Sequence, residues 1–266
     1  MEVVILENSQ AVAIEGARRI RKLLDAKPDA VLGLATGRTP LAMYKQLVDD
    51  CRHGRVSFAA TRTFNLDEYV GLRADDPRSY RAYMNRELFD HVDIEKRNTH
   101  LPSCEPGMNP LSIGADYEAA IRAAGGIDLQ VLGVGANGHI GFNEPTSSLS
   151  SRTRVKTLTQ ETLVSNSEYF DDPEQQPQLA ITMGIATIRD AAAVLLLATG
   201  AGKAAAVEQL IEGPVSAMWP ATALQCHERV VVLIDEAAAA RLEKRAYYDW
   251  VNQQSRRLRS QYDRDS

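Results

Sequence analysis

Two segments of the sequence carry side chains that can exchange protons with a ligand. The run FNLDEYV places Asp67 and Glu68 after a predicted strand. Because adjacent strand side chains point to opposite faces, we expect these acids to do different work. The loop GVGANGHIGFNEP holds His139 and Glu144 among glycines, where backbone amides and an imidazole can face a ligand. The alternative for the two acids is that they are exposed in a loop without a ligand. The alternative for His139 is that its imidazole bonds only to a backbone carbonyl.

The turn TGRTP predicts an anion site. Thr36, Gly37, Arg38 and Thr39 follow a buried strand and open a helix. Backbone N–H groups at a helix N-terminus bind phosphate, and glycine permits a close approach. The threonine hydroxyls and the planar guanidinium would add donors. The alternative is an ordinary strand-to-helix turn capped by Thr39.

A second candidate phosphate turn is Gly200–Lys203, which again lies between a strand and a helix. It fails the pattern of a nucleotide P-loop, since Leu197 occupies the first glycine position and Ala204 replaces the Mg²⁺-binding Ser or Thr. This argues against ATP. Lys203 could still pair with a sugar phosphate, the alternative being a solvated lysine of the first helical turn.

Neither a dinucleotide nor a metal is predicted. Gly133–Gly138 matches GxGxxG, but the next residues, His139–Pro145, lack the amphipathic helix that receives a pyrophosphate. His139 and Glu144 also lack the close helical spacing of a zinc motif.

Apolar runs rich in Val, Ile and Leu alternate with segments of helical periodicity, which is typical of an α/β fold. Strands are predicted over Glu2–Leu6, Ala30–Ala35, Ala60–Asn65, Ile127–Val134, Ala192–Thr199 and Val230–Asp235. Helices are predicted over Ser9–Lys27, Thr39–Asp50, Ser79–Val92, Ser112–Ala124, Lys203–Glu212 and Glu236–Asn252, with N-caps at Ser9, Thr39, Ser79 and Ser112. We expect one domain over residues 1–266, with an open, mostly parallel, doubly wound sheet and helices on both faces.

Composition narrows the class of partner. A net charge of −5 gives no overall positive field for nucleic acid or an anionic membrane, which favours a small molecule or a protein. Cys51, Cys104 and Cys226 are odd in number and widely spaced, which argues against a disulfide framework. The acidic N-terminus differs from a signal peptide, and no apolar run approaches the ~20 residues of a membrane span. We expect a cytoplasmic protein.

Taken together, the motifs TGRTP, FNLDEYVGL, GVGANGHIGFNEP, SSRTRVKTLT and GAGKA, in this order, resemble the glucosamine-6-phosphate deaminase family. The resemblance extends over nearly the whole chain and implies a Rossmann-like fold. NLDEYVGL and GHIGFNEP distinguish it from the related 6-phosphogluconolactonases, whose corresponding loop does not continue into FNEP.

The resemblance implies conversion of glucosamine 6-phosphate to fructose 6-phosphate and ammonia. His139 would assist ring opening, with Glu144 orienting its imidazole. Asp67 would then move a proton from C2 to C1 of the open chain. No organic cofactor is implied, since the carbonyl and amine of the substrate delocalise the charge.

Two positions depart from the best-known form of the family. Asn137 stands where many members have Asp, so the relay from His139 shortens to Glu144. Glu168 stands where the family usually has a phosphate-binding Arg. We hypothesise that Arg38, together with Lys203, restores the missing positive charge.

Some family members are hexamers activated by N-acetylglucosamine 6-phosphate, and others are monomers without activation. Ser147, Arg154 and Lys156 match positions of the regulatory phosphate site, which leaves a homo-oligomer, such as a hexamer, open. The alternative is that SSRTRVK is a polar strand and turn without a ligand.

Two other functions compete with the deaminase. A lactonase-like hydrolase could use the same phosphate turns and His139, because the fold alone does not fix the chemistry. It would not need a base at Asp67. A non-enzymatic sugar-phosphate sensor would keep the phosphate turns without the acid–base set, and the chain has no room for a DNA-binding module beside this domain.

Overall fold

The computed structural model describes residues 1–166, 170 and 176–262. The strands of this part of the chain are β1 (Glu2–Leu6), β2 (Val31–Leu34), β3 (Arg62–Asn65), β4 (Asp67–Tyr69), β5 (Thr99–His100), β6 (Leu129–Gly133), β7 (Arg154–Thr157), β8 (Leu179–Thr182), β9 (Val194–Ala198) and β10 (Val230–Asp235). Seven of them form a parallel sheet in the order β1-β10-β9-β6-β2-β3-β5.

The α-helices are α1 (Ser9–Ala26), α2 (Arg38–Arg52), α3 (Tyr80–Met84), α4 (Pro110–Ala123), α5 (Gln160–Asn166), α6 (Ile185–Arg189), α7 (Ala204–Glu212) and α8 (Arg245–Tyr262). A π-helical turn, Asn85–Phe89, continues α3, and 3-10 turns span Lys96–Asn98, Ala201–Lys203 and Pro220–Cys226. No helix in the described part of the chain is long and apolar enough to cross a membrane.

The central sheet is buried on both faces, as its consecutive apolar residues predict. Along β9, Val194, Leu196 and Ala198 pack in the layer that contains α4 and α7. Leu195 and Leu197 point the other way, into the layer of α1 and α2. The predicted open parallel sheet with helices on both faces is therefore confirmed.

A smaller antiparallel sheet, ordered β4-β8-β7, lies beside the carboxyl end of β3. The Leu66 amide donates to Leu34 O of the central sheet, and Leu66 O accepts from Met183 just after β8. Asp67 pairs with Thr182 in the small sheet. Asp67 therefore starts a strand of its own instead of ending β3.

Two helices begin at a different cap from the predicted one. Asn8, not Ser9, caps α1, because its side chain accepts a first-turn N–H at 3.0 Å from an extended backbone. Asn109, not Ser112, caps α4, where Pro110 occupies the first helical position and needs no hydrogen-bond partner for its nitrogen.

A third predicted cap, Thr39, is also wrong. Helix α2 begins one residue earlier, at Arg38, because Gly37 turns the chain with a φ of 108°. No described side chain caps this helix, so its first amides are available to a ligand. Ser79 is confirmed as the cap of α3, since its hydroxyl accepts from the Ala82 amide at 3.0 Å.

The last helix differs most from its predicted span, Glu236–Asn252. The Asp235 carboxylate accepts from the Ala238 amide at 2.8 Å and holds a turn there. Helix α8 begins only at Arg245, because the Glu212 carboxylate at the end of α7 accepts both backbone N–H groups just before it, at 2.9 Å each. This cap comes from a distant part of the chain.

Candidate active site

A cleft of about 1740 Å³ opens at the carboxyl edge of the central sheet. The predicted catalytic and phosphate-binding residues all line it: Thr36, Gly37, Arg38, Thr39, Asp67, Asn137, His139, Glu144 and Lys203. Parallel sheets place their sites at this edge because every strand ends there. The structure therefore brings together residues that are up to 167 positions apart in the sequence.

The first phosphate turn is held from behind by two tyrosines. The buried Tyr44 hydroxyl donates to Ala35 O at 2.6 Å, and the Tyr83 hydroxyl donates to Gly37 O at 2.8 Å. These bonds fix the turn so that the uncapped N-terminus of α2 borders the cleft. The exposed Arg38 lies at its rim. Such a turn can bind an anion through amides and the helix dipole.

The second phosphate turn is fixed by Asp235 at the end of β10. Both carboxylate oxygens lie 3.0 Å from the Gly200 amide, and Gly200 adopts a φ of 86°. This conformation leads into the half-buried Lys203, which lines the cleft. Burial lowers the pKa of the Lys203 ammonium. An anionic ligand would offset the cost of that burial.

Asp67 is the most perturbed acid of the cleft. Its side chain is buried, and this burial, followed by the nearby charge of Glu68, raises its pKa to about 8. A carboxyl group with a pKa near the working pH can both take up and release a proton. The arrangement therefore suits a general base.

Glu68 lies outside the cleft lining and supports the structure. Its carboxylate accepts hydrogen bonds from three backbone amides at 2.9 Å each. One belongs to the next residue, Tyr69, and two belong to the first residues of α3, Tyr80 and Arg81. Burial raises the pKa of Glu68, and these backbone donors oppose the rise. The two adjacent acids therefore have different surroundings, and that they do different work stays a prediction.

The glycine-rich loop brings His139 against the wall of the cleft. The imidazole lies directly over Gly135, where a Cβ would come within 2.5 Å of three ring atoms. Only glycine fits under the ring. His139 Nδ1 faces Glu144 Oε2 at 3.3 Å, and the Asn137 amide donates to the same oxygen at 2.8 Å. Asn137 therefore orients the carboxylate, as its neutral amide allows.

Glu144 is ionised and held by several side chains. Burial raises its pKa, but hydrogen bonding and the charge of His139, then the Thr162 hydroxyl, then Asn137, lower it to about 2. The Thr162 hydroxyl donates to Glu144 Oε1 at 2.5 Å. The fixed carboxylate can therefore orient the imidazole that it faces.

The two segments that hold Asp67 and His139 contact each other at Gly141. Gly141 has a φ of 55°, and a Cβ there would lie 2.9 Å from Thr182 Oγ1 and 3.3 Å from Asp67 Oδ2. Thr182 also accepts from the Phe142 amide at 3.1 Å. The loop can therefore pass close beside the Asp67 carboxylate only because this position has no side chain.

Several residues of the cleft escaped the sequence analysis. Tyr69, Tyr80 and Phe142 form an aromatic wall, with Tyr80 and Phe142 stacked at a centroid distance of 6.1 Å. Thr162 lines the cleft from α5. Tyr69 and Phe142 lie inside the motifs FNLDEYVGL and GVGANGHIGFNEP, and this position could have identified them as residues of the cleft. Thr162 had no local signal, because its partner lies 18 residues away.

The candidate regulatory residues lie outside this cleft lining. Ser147 Oγ is buried and, among the described residues, has no hydrogen-bond partner. Arg154 Nη1 donates to Asn143 Oδ1 at 2.7 Å, next to Glu144 in the chain. Lys156 is half-buried on β7. Glu168 lies outside the described residues.

No group of three or more His, Cys, Asp or Glu side chains is placed to hold a metal ion in the described part of the chain. The absence of a required metal stays a prediction.

Comparison with known proteins identifies the family. A sequence profile described as glucosamine-6-phosphate isomerases/6-phosphogluconolactonase matches residues 7–233. The chain belongs to this family. It is 53% identical over 262 residues to the glucosamine-6-phosphate deaminase of Colwellia psychrerythraea, which covers 98% of each chain. The Hahella chejuensis deaminase is 54% identical over 263 residues, covering 98% of this chain and 100% of that relative. The family prediction is confirmed.

Solved structures of the family agree with the fold. A structure described as a monomeric glucosamine-6-phosphate deaminase matches with a TM-score of 0.87 and 42% identity, covering 90% of this chain and 99% of the other. The 6-phosphogluconolactonase of Trypanosoma brucei matches with a TM-score of 0.72 at 21% identity, covering 91% and 98%. The second likeness shows a shared fold alone.

Proposed function

We propose that this chain converts glucosamine 6-phosphate and water to fructose 6-phosphate and ammonia. The observation that carries the proposal is the pairing, in one cleft, of a protonatable acid, Asp67, with an ionised one, Glu144, that faces His139. The relatives named as deaminases, more than 50% identical over nearly the full chain, support it.

Phosphate binding anchors the substrate at the two turns. The N-terminus of α2 offers amides and the Thr36 and Thr39 hydroxyls, and Lys203 offers a partly desolvated ammonium. Arg38 adds charge at the rim. These groups place the sugar along the cleft toward Asp67 and His139.

Ring opening is the first chemical step. His139 moves a proton at the ring oxygen of the pyranose, which frees the C1 aldehyde. Glu144, fixed by Asn137 and Thr162, stabilises the charged imidazole through this transfer.

Isomerisation follows on the open chain. The Asp67 carboxylate takes the proton from C2 while the C1 oxygen is protonated, which gives an enolamine. Asp67 returns a proton to C1, and the C2 imine that results is hydrolysed by water to the ketone and ammonia. The pKa near 8 lets one carboxyl group serve in both directions.

We further propose that the enzyme works in the cytoplasm, in the catabolism of amino sugars such as N-acetylglucosamine. Its three cysteines are free thiols, which fits a reducing compartment.

A regulatory phosphate site at Ser147, Arg154 and Lys156 remains part of the proposal. The buried, unpartnered Ser147 hydroxyl and the contact of Arg154 with Asn143 support it, because a phosphate there would reach the segment next to Glu144. Titration with N-acetylglucosamine 6-phosphate tests it, and an unresponsive hyperbolic rate curve would count against it. Sedimentation with and without this ligand tests the predicted homo-oligomer.

The direct test of the reaction follows ammonia and ketose together. Purified protein incubated with glucosamine 6-phosphate should release both in equal amounts. The Asp67→Asn variant should release neither. If this variant instead hydrolysed 6-phosphogluconolactone at an undiminished rate and the wild type released no ammonia, the lactonase would be the better assignment.

A further inference from the structure

The Glu144 carboxylate is held at both of its oxygens. Oε2 receives the Asn137 amide and faces His139, while Oε1 receives the Thr162 hydroxyl at 2.5 Å. Both Glu144 and Thr162 are buried. A short bond from a hydroxyl to a buried carboxylate is charge-assisted and stronger than a neutral one. It fixes the rotation of the carboxylate plane.

The direction of this bond is set by a second threonine. Thr159 Oγ1 donates to Thr162 Oγ1 at 3.1 Å, and the Thr162 amide donates back to Thr159 Oγ1 at 3.3 Å. A hydroxyl has a single proton. Since the Thr162 oxygen accepts from Thr159, its own proton points at Glu144. The two hydroxyls form a chain in which each bond polarises the next.

We propose that Thr162 is a positioning residue: it holds Glu144 Oε1 so that Oε2 faces the His139 ring. This inference rests on the proposed function. Thr162 acts through Glu144 and has no chemical step of its own. It differs from Asn137, which belongs to the same loop as Glu144, because it connects the pair to α5 on another part of the chain.

Loss of the hydroxyl has two expected consequences. The carboxylate gains a free oxygen and can turn away from the ring, which lowers kcat and leaves substrate binding nearly unchanged. Loss of a donor also raises the pKa of Glu144. His139 faces this carboxylate, so its ring should sense the change. The other charged groups that line the cleft are Arg38, Asp67, Asp76, Arg78, Arg86 and Lys203.

Three variants isolate the hydroxyl. Thr162→Val keeps the shape and removes the donor, and Thr162→Ser keeps the donor. Val164→Ala changes an exposed side chain of the same helix as a matched control. We expect kcat of Thr162→Val to fall about tenfold with KM within twofold. Thr162→Ser and Val164→Ala should stay within twofold of wild type.

A readout without turnover separates this inference from the proposed function. The ¹⁵N shifts of the His139 ring should move in Thr162→Val and stay in place in Thr162→Ser and Val164→Ala. If wild type released no ammonia, the proposed function would fail and the ring shifts would still report on Thr162. Unchanged kcat and ring shifts in Thr162→Val would overturn the inference, as would a loss that Thr162→Ser does not restore. Thr162→Ala replaces the valine variant if the latter does not fold.

Discussion

Two buried carboxylates in one cleft have opposite environments. Asp67 begins a short strand beside Glu68, and burial with this neighbouring negative charge raises its pKa to about 8. Glu144 sits in a loop where His139, Thr162 and Asn137 outweigh the effect of burial, and its pKa falls to about 2. The same functional group is thus protonatable near neutral pH on one side and a permanent anion on the other.

The comparison shows that donors, more than burial, divide the roles. The exposed fractions of the two residues are nearly equal, at 5% for Asp67 and 4% for Glu144. Beside Asp67, three backbone amides donate to the Glu68 carboxylate, two of them from the first turn of α3. These donors lower the pKa of Glu68, whereas burial and the charge of Glu68 raise that of Asp67.

The largest effect is expected from removing the proton carrier. Asp67→Asn should lower the rate of ammonia release by about 10³-fold or more, because an amide cannot take the C2 proton. Binding of the substrate should change little. Ammonia release within tenfold of the wild-type rate would contradict the assignment of Asp67.

The thermal stability of Asp67→Asn also tests the comparison between Asp67 and Glu144. The pKa of folded Asp67, about 8, lies above its ordinary value of 3.8, so its contribution to stability is full below pH 3.8 and is lost as pH rises through 8. Asparagine does not ionise, so Asp67→Asn does not lose stability in this way as pH rises. Its Tm at pH 9 should exceed that of wild type by about 2 °C or more, and the difference should vanish near pH 4.

Removing the permanent anion should have the opposite effect on stability. Glu144→Gln should lower kcat by about 100-fold, because His139 loses its orienting charge. Folded Glu144 has a pKa of about 2 against an ordinary 4.5, so its stabilisation is present above pH 4.5 and lost as pH falls toward 2. Thermal unfolding should show a lower Tm than wild type at pH 7 and a shrinking difference in acid. A raised Tm at pH 7 would contradict this account.

The phosphate turns should affect binding and not the acid–base step. Lys203→Ala should raise KM about tenfold, and Arg38→Ala, at an exposed position, about threefold. Slow turnover of unphosphorylated glucosamine should be the same in both variants as in wild type. An unchanged KM for the 6-phosphate in Arg38→Ala would remove the idea that Arg38 replaces the usual arginine.

The smallest predicted effect tests how Glu68 tunes its neighbour. Glu68→Gln removes a negative charge beside Asp67 and should lower the pKa of Asp67. The limb of the kcat/KM profile that rises toward pH 8 should therefore move to lower pH, by less than one unit. An unchanged limb would show that Glu68 is uncharged in the working enzyme, and a shift to higher pH would contradict this account.

Local patterns predicted the central sheet well. β1 and β10 have the predicted bounds, because runs such as VVVLID are apolar at consecutive positions and end at polar residues. The small sheet as a whole was not predicted, although the polar strand given as the alternative for SSRTRVK is present as Arg154–Thr157. Asp67–Tyr69, with three residues, was missed. A short strand that pairs across more than 100 residues leaves no periodic signal.

The residues of the cleft were predicted from their motifs, but the contacts that hold them in place were not. Asp67 and His139 could be predicted because their side chains are of types that transfer protons. The caps and anchors that hold them come from elsewhere: Thr162 on Glu144, Asp235 on Gly200, and Glu212 at the start of α8. Each such contact joins residues whose separation is fixed only by the fold.

The central claim is that the Asp67 carboxyl group moves hydrogen from C2 to C1, and isotope transfer tests it most directly. With glucosamine 6-phosphate deuterated at C2, wild type should release ammonia and yield fructose 6-phosphate that carries part of the label at C1, the rest passing to water. Asp67→Asn should leave the deuterium at C2. Loss of that label at the wild-type rate in Asp67→Asn would contradict the account.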